Sequence, residues 1–196
     1  TLERNGVLLD VPKLANAKSE IATLVQESHD NAIALIPPKV LFTEDKALSL
    51  TRADLVRKTL FSKDGFNIPS VKMTEKGDND SVDKEVRNEL LSRNLNVKAL
   101  DFLRYYSEWA DNNVLLTRYL PMFSKLVKQD SRLHPQYSIV STVTGRSSAS
   151  APSMQNMPRR GPVSSAIRKL IIAPEGYKLL ALDYSQSEIR LLGHCS

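Results

Sequence analysis

The sequence predicts an α+β protein, helical over residues 1–130 and turning to strands over residues 131–196. Three observations carry this. Apolar residues recur at helical spacing through the first part, extended β-branched runs appear after Gln129-Asp130-Ser131, and turn-forming residues cluster between these segments. The chain has 196 residues, 41% of them hydrophobic, enough for a packed core, which excludes fibrous and wholly disordered classes.

Each element has its own local cause. Pro12 suits a first helical turn, and Leu14, Ala17, Ile21, Leu24 and Val25 repeat at helical spacing in a helix that runs to Ile36, where Pro37-Pro38 stops it. Thr51 with Asp54 forms a capping box ahead of Leu55, Val56 and Leu60, and Gly65 closes that shorter helix. Lys72 to Asp80 is too polar for a core and is expected to be a mobile surface loop. Ser81 is the expected cap of a helix through Val86, Leu90 and Leu91. A fourth helix begins near Val97, buries Tyr106 and Trp109, pauses at Asp111-Asn112-Asn113, resumes through Tyr119 and Phe123, and is bent by Pro121.

Tyr137 to Thr144 reads as a strand. A long Ser/Pro/Asn loop from Gly145 to Ser165 follows, with a short helix near Val163 to Arg168. Lys169–Ala173 and Tyr177–Asp183 are expected strands around the turn Pro174-Glu175-Gly176, and Ser185 with Glu188 opens a last helix.

No apolar run approaches the roughly 18 residues a bilayer span needs, and Thr1-Leu2-Glu3-Arg4 lacks the start of a signal peptide, so no membrane partner is expected. One cysteine, Cys195, cannot form an internal disulfide, and three scattered histidines do not offer zinc spacing, which fits a reducing cytoplasm. Lys and Arg exceed Asp and Glu by 27 to 22. The distribution says more: from Ser131 to Pro174 there is no acid, while Arg132, Arg146, Arg159, Arg160, Arg168 and Lys169 are present. Such a stretch suits a polyanionic partner.

The strand expected to end at Asp183 and the helix expected two residues later place a carboxylate beside unpaired backbone N–H groups. Magnesium takes one or two protein carboxylates and completes its shell with water and phosphate oxygens, and a helix N-terminus favours phosphate. Strands also end in Asp for purely structural reasons, so this pattern leaves the role of Asp183 open.

The string Asp183-Tyr184-Ser185-Gln186-Ser187-Glu188-Ile189-Arg190 resembles the first palm motif of family A DNA polymerases, D-Y-S-Q-I-E-L-R. Upstream, T-V-T-G-R at Thr142 to Arg146 and M-Q-N-M-P at Met154 to Pro158 are similar to that family's T-A-T-G-R and L-Q-N-I-P, in the same order. Leu2-Glu3-Arg4-Asn5-Gly6-Val7 is similar to the E-R-N-G-V that opens its thumb, and Arg132-Leu133-His134 to its R-L-H. The resemblance covers nearly the whole chain. It implies a helical thumb over residues 1–130 and, over 131–196, the start of an antiparallel-sheet palm from a bacterial or phage-like enzyme.

The resemblance also implies roles. Asp183 would be catalytic and hold two Mg2+ ions, joined by the backbone carbonyl of Tyr184. The N–H groups of Ser185 and Gln186 would meet the triphosphate of a deoxynucleoside triphosphate, and Glu188 would lie under its sugar or act only as the capping partner of Ser185. Ser187 stands where relatives carry isoleucine, which implies either a looser pocket or a gap filled by a neighbour. Arg146 would reach the minor groove of primer-template DNA, with Gln155 and Asn156 either joining it or stabilising their loop. Arg160 aligns with a further family arginine better than Arg159 does. The family's K-S-T-Y is here Leu116-Thr117-Arg118-Tyr119, so Thr117 and Arg118 are expected to track phosphates. Neither His29 nor His134 has a legible partner.

The family's fingers helix and its H-D-E motif, which carries the second metal carboxylate, are not in these 196 residues. The resemblance therefore implies a complementary polymerase segment, the chain being a split-gene product, a processed piece or a fragment. The absence of an initial Met fits processing or excision. A non-catalytic duplex-binding clamp or scaffold is the alternative, and the retention of Asp183 and Glu188 speaks against it.

Overall fold

The computed structural model describes residues 2–75, 77–157 and 162–195. A short turn of helix, α1 (Leu2–Asn5), leads through β1 (Val7–Leu8) into the long α2 (Val11–Ala34). The side chain of Asp10 caps α2 by accepting from the Lys13 N–H at 3.0 Å, Pro12 sits in the first turn, and the Pro37-Pro38 stop falls as expected. Next come α3 (Pro38–Phe42), α4 (Ala53–Phe61), α5 (Lys84–Ser92) and α6 (Val97–Val114), the last capped by Asn96, whose side chain accepts from the Ala99 N–H at 2.7 Å.

Two expected caps are replaced. Thr51 does not cap α4; its hydroxyl pairs with that of Ser49 at 2.8 Å, and the helix start is held instead by Arg52, which bonds Glu44 and Asp54 at 2.6 Å each. At α5 the cap is Asp83, which accepts from the Val86 N–H, while Ser81 donates to Asp83. The supposed loop at 72–80 lies at the surface but is closed like a hairpin by Thr74 N–H to Asn79 O and Ser81 N–H to Lys72 O, both 2.7 Å.

The expected pause in the fourth helix falls later. α6 runs through Asp111-Asn112-Asn113 unbroken, and Leu115–Tyr119 then form a π-turn before α7 (Leu120–Leu126). Pro121 lacks an N–H, and its ring would clash with the carbonyl of Thr117, four residues back in an α-helix; widening the preceding turn removes both problems.

Two cores result. The first joins α2 through α6 around Leu55, Leu60, Leu90, Phe102 and Leu103, with Phe66, Phe102, Tyr106 and Trp109 as a row of rings 5.7–6.1 Å apart. Tyr106 and Trp109 are thus core residues, as expected. The second core joins Leu9, Leu14 and Ile21 with Leu115, Leu120, Phe123, Leu133, Ile167 and Leu170, and so straddles position 130. Arg87 is buried in the first, 5.5 Å from the Tyr106 ring centroid and 3.5 Å from Asp111.

The strand part is smaller than the sequence suggests. β1 pairs antiparallel with β2 (Arg132–Leu133), and β3 (Gln136–Ser138) with β4 (Ser148–Ser150). Only the first residues of the expected strand Tyr137–Thr144 are paired, and Val140 and Val143 lie in solvent. Of Lys169–Ala173, Leu170 and Ile172 bond Asp10 and Leu8, and Ile171 forms a single bridge to Leu9. Tyr177–Asp183 forms no strand. Its Leu180 and Leu182 are 80% and 86% exposed, because a strand needs a ladder partner and none reaches it among the described residues. α8 (Pro162–Arg168) matches the short helix expected there, the turn at Pro174 is closed by the Tyr177 N–H at 3.0 Å, and α9 (Ser187–Cys195) ends the described chain.

Two expected results follow from this packing. Gly6 has φ +62°, and a Cβ there would stand 2.7 Å from the Leu133 carbonyl oxygen, so Gly6→Ala should cost about 1–3 kcal/mol in denaturant unfolding. The Glu44 side chain is covered and bonded by Lys58 and Arg52 at 2.6 Å each, and these hydrogen bonds, Lys58 first, hold its carboxyl below the usual carboxylate range. A depressed carboxyl stabilises the fold above its unfolded-state pKa and loses that contribution as pH falls through its folded value. Glu44→Gln should therefore be less stable than native at pH 7, and melting curves should show the gap closing below about pH 4.

Candidate nucleic-acid and nucleotide interface

Three of the residues singled out from the sequence come together. Arg146, Gln155 and Asn156 are exposed and line one concavity of about 720 Å³ with Thr142, Thr144 and Ser147. The local sequence builds it. Gly145 turns the chain at φ +70°, the Thr142 hydroxyl donates to the Arg146 carbonyl at 2.5 Å, and β4 starts two residues after Arg146. Gln155 sits in a single 3₁₀ turn, Met154–Asn156, and its amide donates to the Ser147 hydroxyl at 3.1 Å. A guanidinium and two carboxamides thus face one wall-lined space with no acid among its lining residues, an arrangement suited to acceptor-rich edges and polyanions.

The remaining site residues lie elsewhere. Thr117 and Arg118 are exposed on the π-turn and do not line the concavity; the Thr117 hydroxyl donates to the Asn113 carbonyl at 2.6 Å, and the Arg118 guanidinium stands 5.7 Å from the Tyr119 ring centroid. Asp183 and Tyr184 are exposed on the irregular segment before α9. The helix opens at Ser187 rather than Ser185, after Gln186 turns the chain at φ +53°, and its first bond is from the Arg190 N–H to the Gln186 carbonyl at 3.0 Å. Ser185 and Gln186 thus sit between the carboxylate and a helix N-terminus. Arg160 and the side chains of Ser187 and Glu188 lie outside the described part. Among the described residues no group of three or more His, Cys, Asp or Glu is placed to hold a metal ion, and no described helix is long and apolar enough to cross a membrane.

Sequence reasoning missed one cluster. His134 sits with Nδ1 2.7 Å from the Glu3 carbonyl and Nε2 2.8 Å from an Asp130 carboxylate oxygen. The Glu3 carboxylate accepts from the Tyr137 N–H at 2.6 Å, and Arg132 donates to the Asn5 carbonyl at 3.0 Å. The hydrogen bond from His134 holds the Asp130 carboxyl below its usual range. The signal was present as two short motifs, E-R-N-G-V and R-L-H, but nothing in the sequence said that they touch.

In architecture the chain matches a polymerase domain: its fold superposes on the POL domain of Pol1 from M. smegmatis, solved in complex with DNA primer-template and dNTP, with a TM-score of 0.75 at 24% identity, over 98% of this chain and 31% of that one. Residues 14–196 match the family described as DNA polymerase family A, and the chain belongs to that family. It is 31% identical to the thermostable DNA polymerase I of Thermus aquaticus over 196 residues, all of this chain and 22% of that protein. Against the DNA polymerase I of Pseudomonas aeruginosa it is 28% identical over 193 residues, 98% of this chain and 20% of that protein. The chain spans about a fifth of the length of these relatives.

Proposed function

We propose that the chain supplies the thumb, residues 1–130, and the first part of the palm, residues 131–196, of a template-directed DNA polymerase that transfers deoxynucleotides to a primer 3′-hydroxyl. The concavity that brings Arg146, Gln155 and Asn156 onto one exposed, acid-free face carries this reading. Minor-groove acceptors, purine N3 and pyrimidine O2, occupy similar places in every correct pair, so donors placed there test pair geometry without reading sequence. Arg160 extends the same basic stretch, and Thr117 and Arg118 contact backbone phosphates from the π-turn.

Asp183 and the carbonyl of Tyr184 are hard oxygen donors of the kind magnesium takes, and they fit as half of a two-ion site. Magnesium bound there supplies charge neutralisation for the triphosphate and lowers the pKa of the primer hydroxyl. Within this site Ser185 and Gln186 orient the triphosphate through backbone N–H groups, and Ser187 and Glu188 are assigned to the same nucleotide pocket by their places in the motif. The second carboxylate and the fingers come from a complementary segment carrying the H-D-E motif, in the cytoplasm of a bacterial or phage-infected cell.

Fluorescence anisotropy with a primer-template duplex tests this. Two to four phosphate contacts should give log affinity a slope of roughly −2 to −4 against log salt, and Arg146→Ala should lose about 1–3 kcal/mol. Salt-independent binding, or binding indifferent to Arg146→Ala, contradicts the reading.

A further inference from the structure

We propose that Glu3, His134 and Asp130 form a positioning clamp that sets the place of Arg146, a role that rests on the duplex-contact reading above. His134 sets its two ring nitrogens against the Glu3 carbonyl and an Asp130 carboxylate oxygen, and so ties the first helical turn to the corner before β2. The two motifs answer each other along their length. Arg132 holds the Asn5 carbonyl, β1 pairs with β2, and Gly6 leaves room for the imidazole, since a Cβ there would stand 2.9 Å from His134 Cε1.

The clamp reaches the concavity through backbone. The Glu3 carboxylate takes the N–H of Tyr137, which pairs with Ala149 in the β3–β4 ladder. β4 begins at Ser148, beside Ser147, to which Gln155 donates, and two residues after Arg146. Ser141 and Ser148 join the two arms of the loop that carries Arg146 by a hydroxyl–hydroxyl bond. Moving the Tyr137 end of this ladder moves the arm that carries the arginine. Glu3 itself does not line the concavity, so its effect on a ligand passes through that arm.

The test is a double-mutant cycle on duplex affinity with the whole chain, read beside amide exchange at Tyr137. Glu3→Ala should speed exchange at Tyr137 and weaken duplex binding about threefold to tenfold. Glu3→Gln keeps an acceptor for the Tyr137 N–H and should restore both. In the Arg146→Ala background Glu3→Ala should cost less than twofold, because a positioning residue loses its effect when the group it positions is gone. His134→Phe, which keeps a ring and removes both ring nitrogens, should follow Glu3→Ala. Equal losses in the native and Arg146→Ala backgrounds overturn the clamp, as does unchanged affinity in Glu3→Ala. A native chain that binds no duplex overturns instead the reading on which the clamp rests.

Discussion

Asp183→Asn, in the chain mixed with a segment carrying the family's fingers helix and H-D-E motif, should lower nucleotide incorporation by several orders of magnitude while leaving duplex affinity nearly unchanged. Asparagine keeps the shape and loses the charge that would offset metal ions in the proposed role, and its amide is a far poorer magnesium ligand than a carboxylate. The contrast with Arg146→Ala is the informative part. Asp183 lies outside the concavity that Arg146 lines, so the two variants should separate chemistry from grip. Primer-extension rates and anisotropy on the same preparations check this. Near-native turnover in Asp183→Asn would contradict the catalytic role of Asp183.

The second large effect is on folding. Phe102 is fully buried, with the tilted ring of Phe66 at 5.7 Å and the stacked ring of Tyr106 at 6.1 Å, in the core that fixes α4, α5 and α6 to α2. Phe102→Ala should cost about 3–5 kcal/mol, because the surrounding rings cannot close over the space left behind. For a chain of this size the melting midpoint should fall by roughly 6–20 °C. Loss of this core loosens the part from Ala32 to Trp109 but leaves the contacts of Leu9, Phe123, Leu133 and Ile167 in place. Amide exchange should therefore rise most in α4 to α6. Uniform loss of protection across both cores would mean that they unfold as one unit.

Local signals in the sequence were legible where the structure answers them locally. α2 starts beside Pro12 and stops before Pro37, and α6 buries the expected stripe. The cap of α5 was misplaced by two residues because Ser81 and Asp83 are both good caps, and only the fold shows Ser81 donating to Asp83 rather than to a helix N–H. Pro121 announced a bend, but whether a helix breaks or widens into a π-turn depends on packing around Leu115 and Tyr119, which the second core decides. Tyr177–Asp183 has the composition of a strand and no strand partner, since pairing is a non-local property.

The same distinction runs through the candidate site. Arg146, Gln155 and Asn156 were found by motif, and the fold adds that they share one concavity. Glu3 and His134 are 131 positions apart, and no periodicity or spacing argument joins them. Asp183 was located at a strand end that the described chain does not form, because composition marks a strand while its ladder partner is a non-local property.

Primer extension by the purified chain, alone and mixed with a segment carrying the family's fingers helix and H-D-E carboxylates, separates a polymerase part from a duplex-binding clamp. The chain alone should incorporate nothing, and the mixture should show template-directed incorporation that Asp183→Asn abolishes. Incorporation by the chain alone, or a mixture that binds duplex and extends nothing, would contradict the polymerase-part reading.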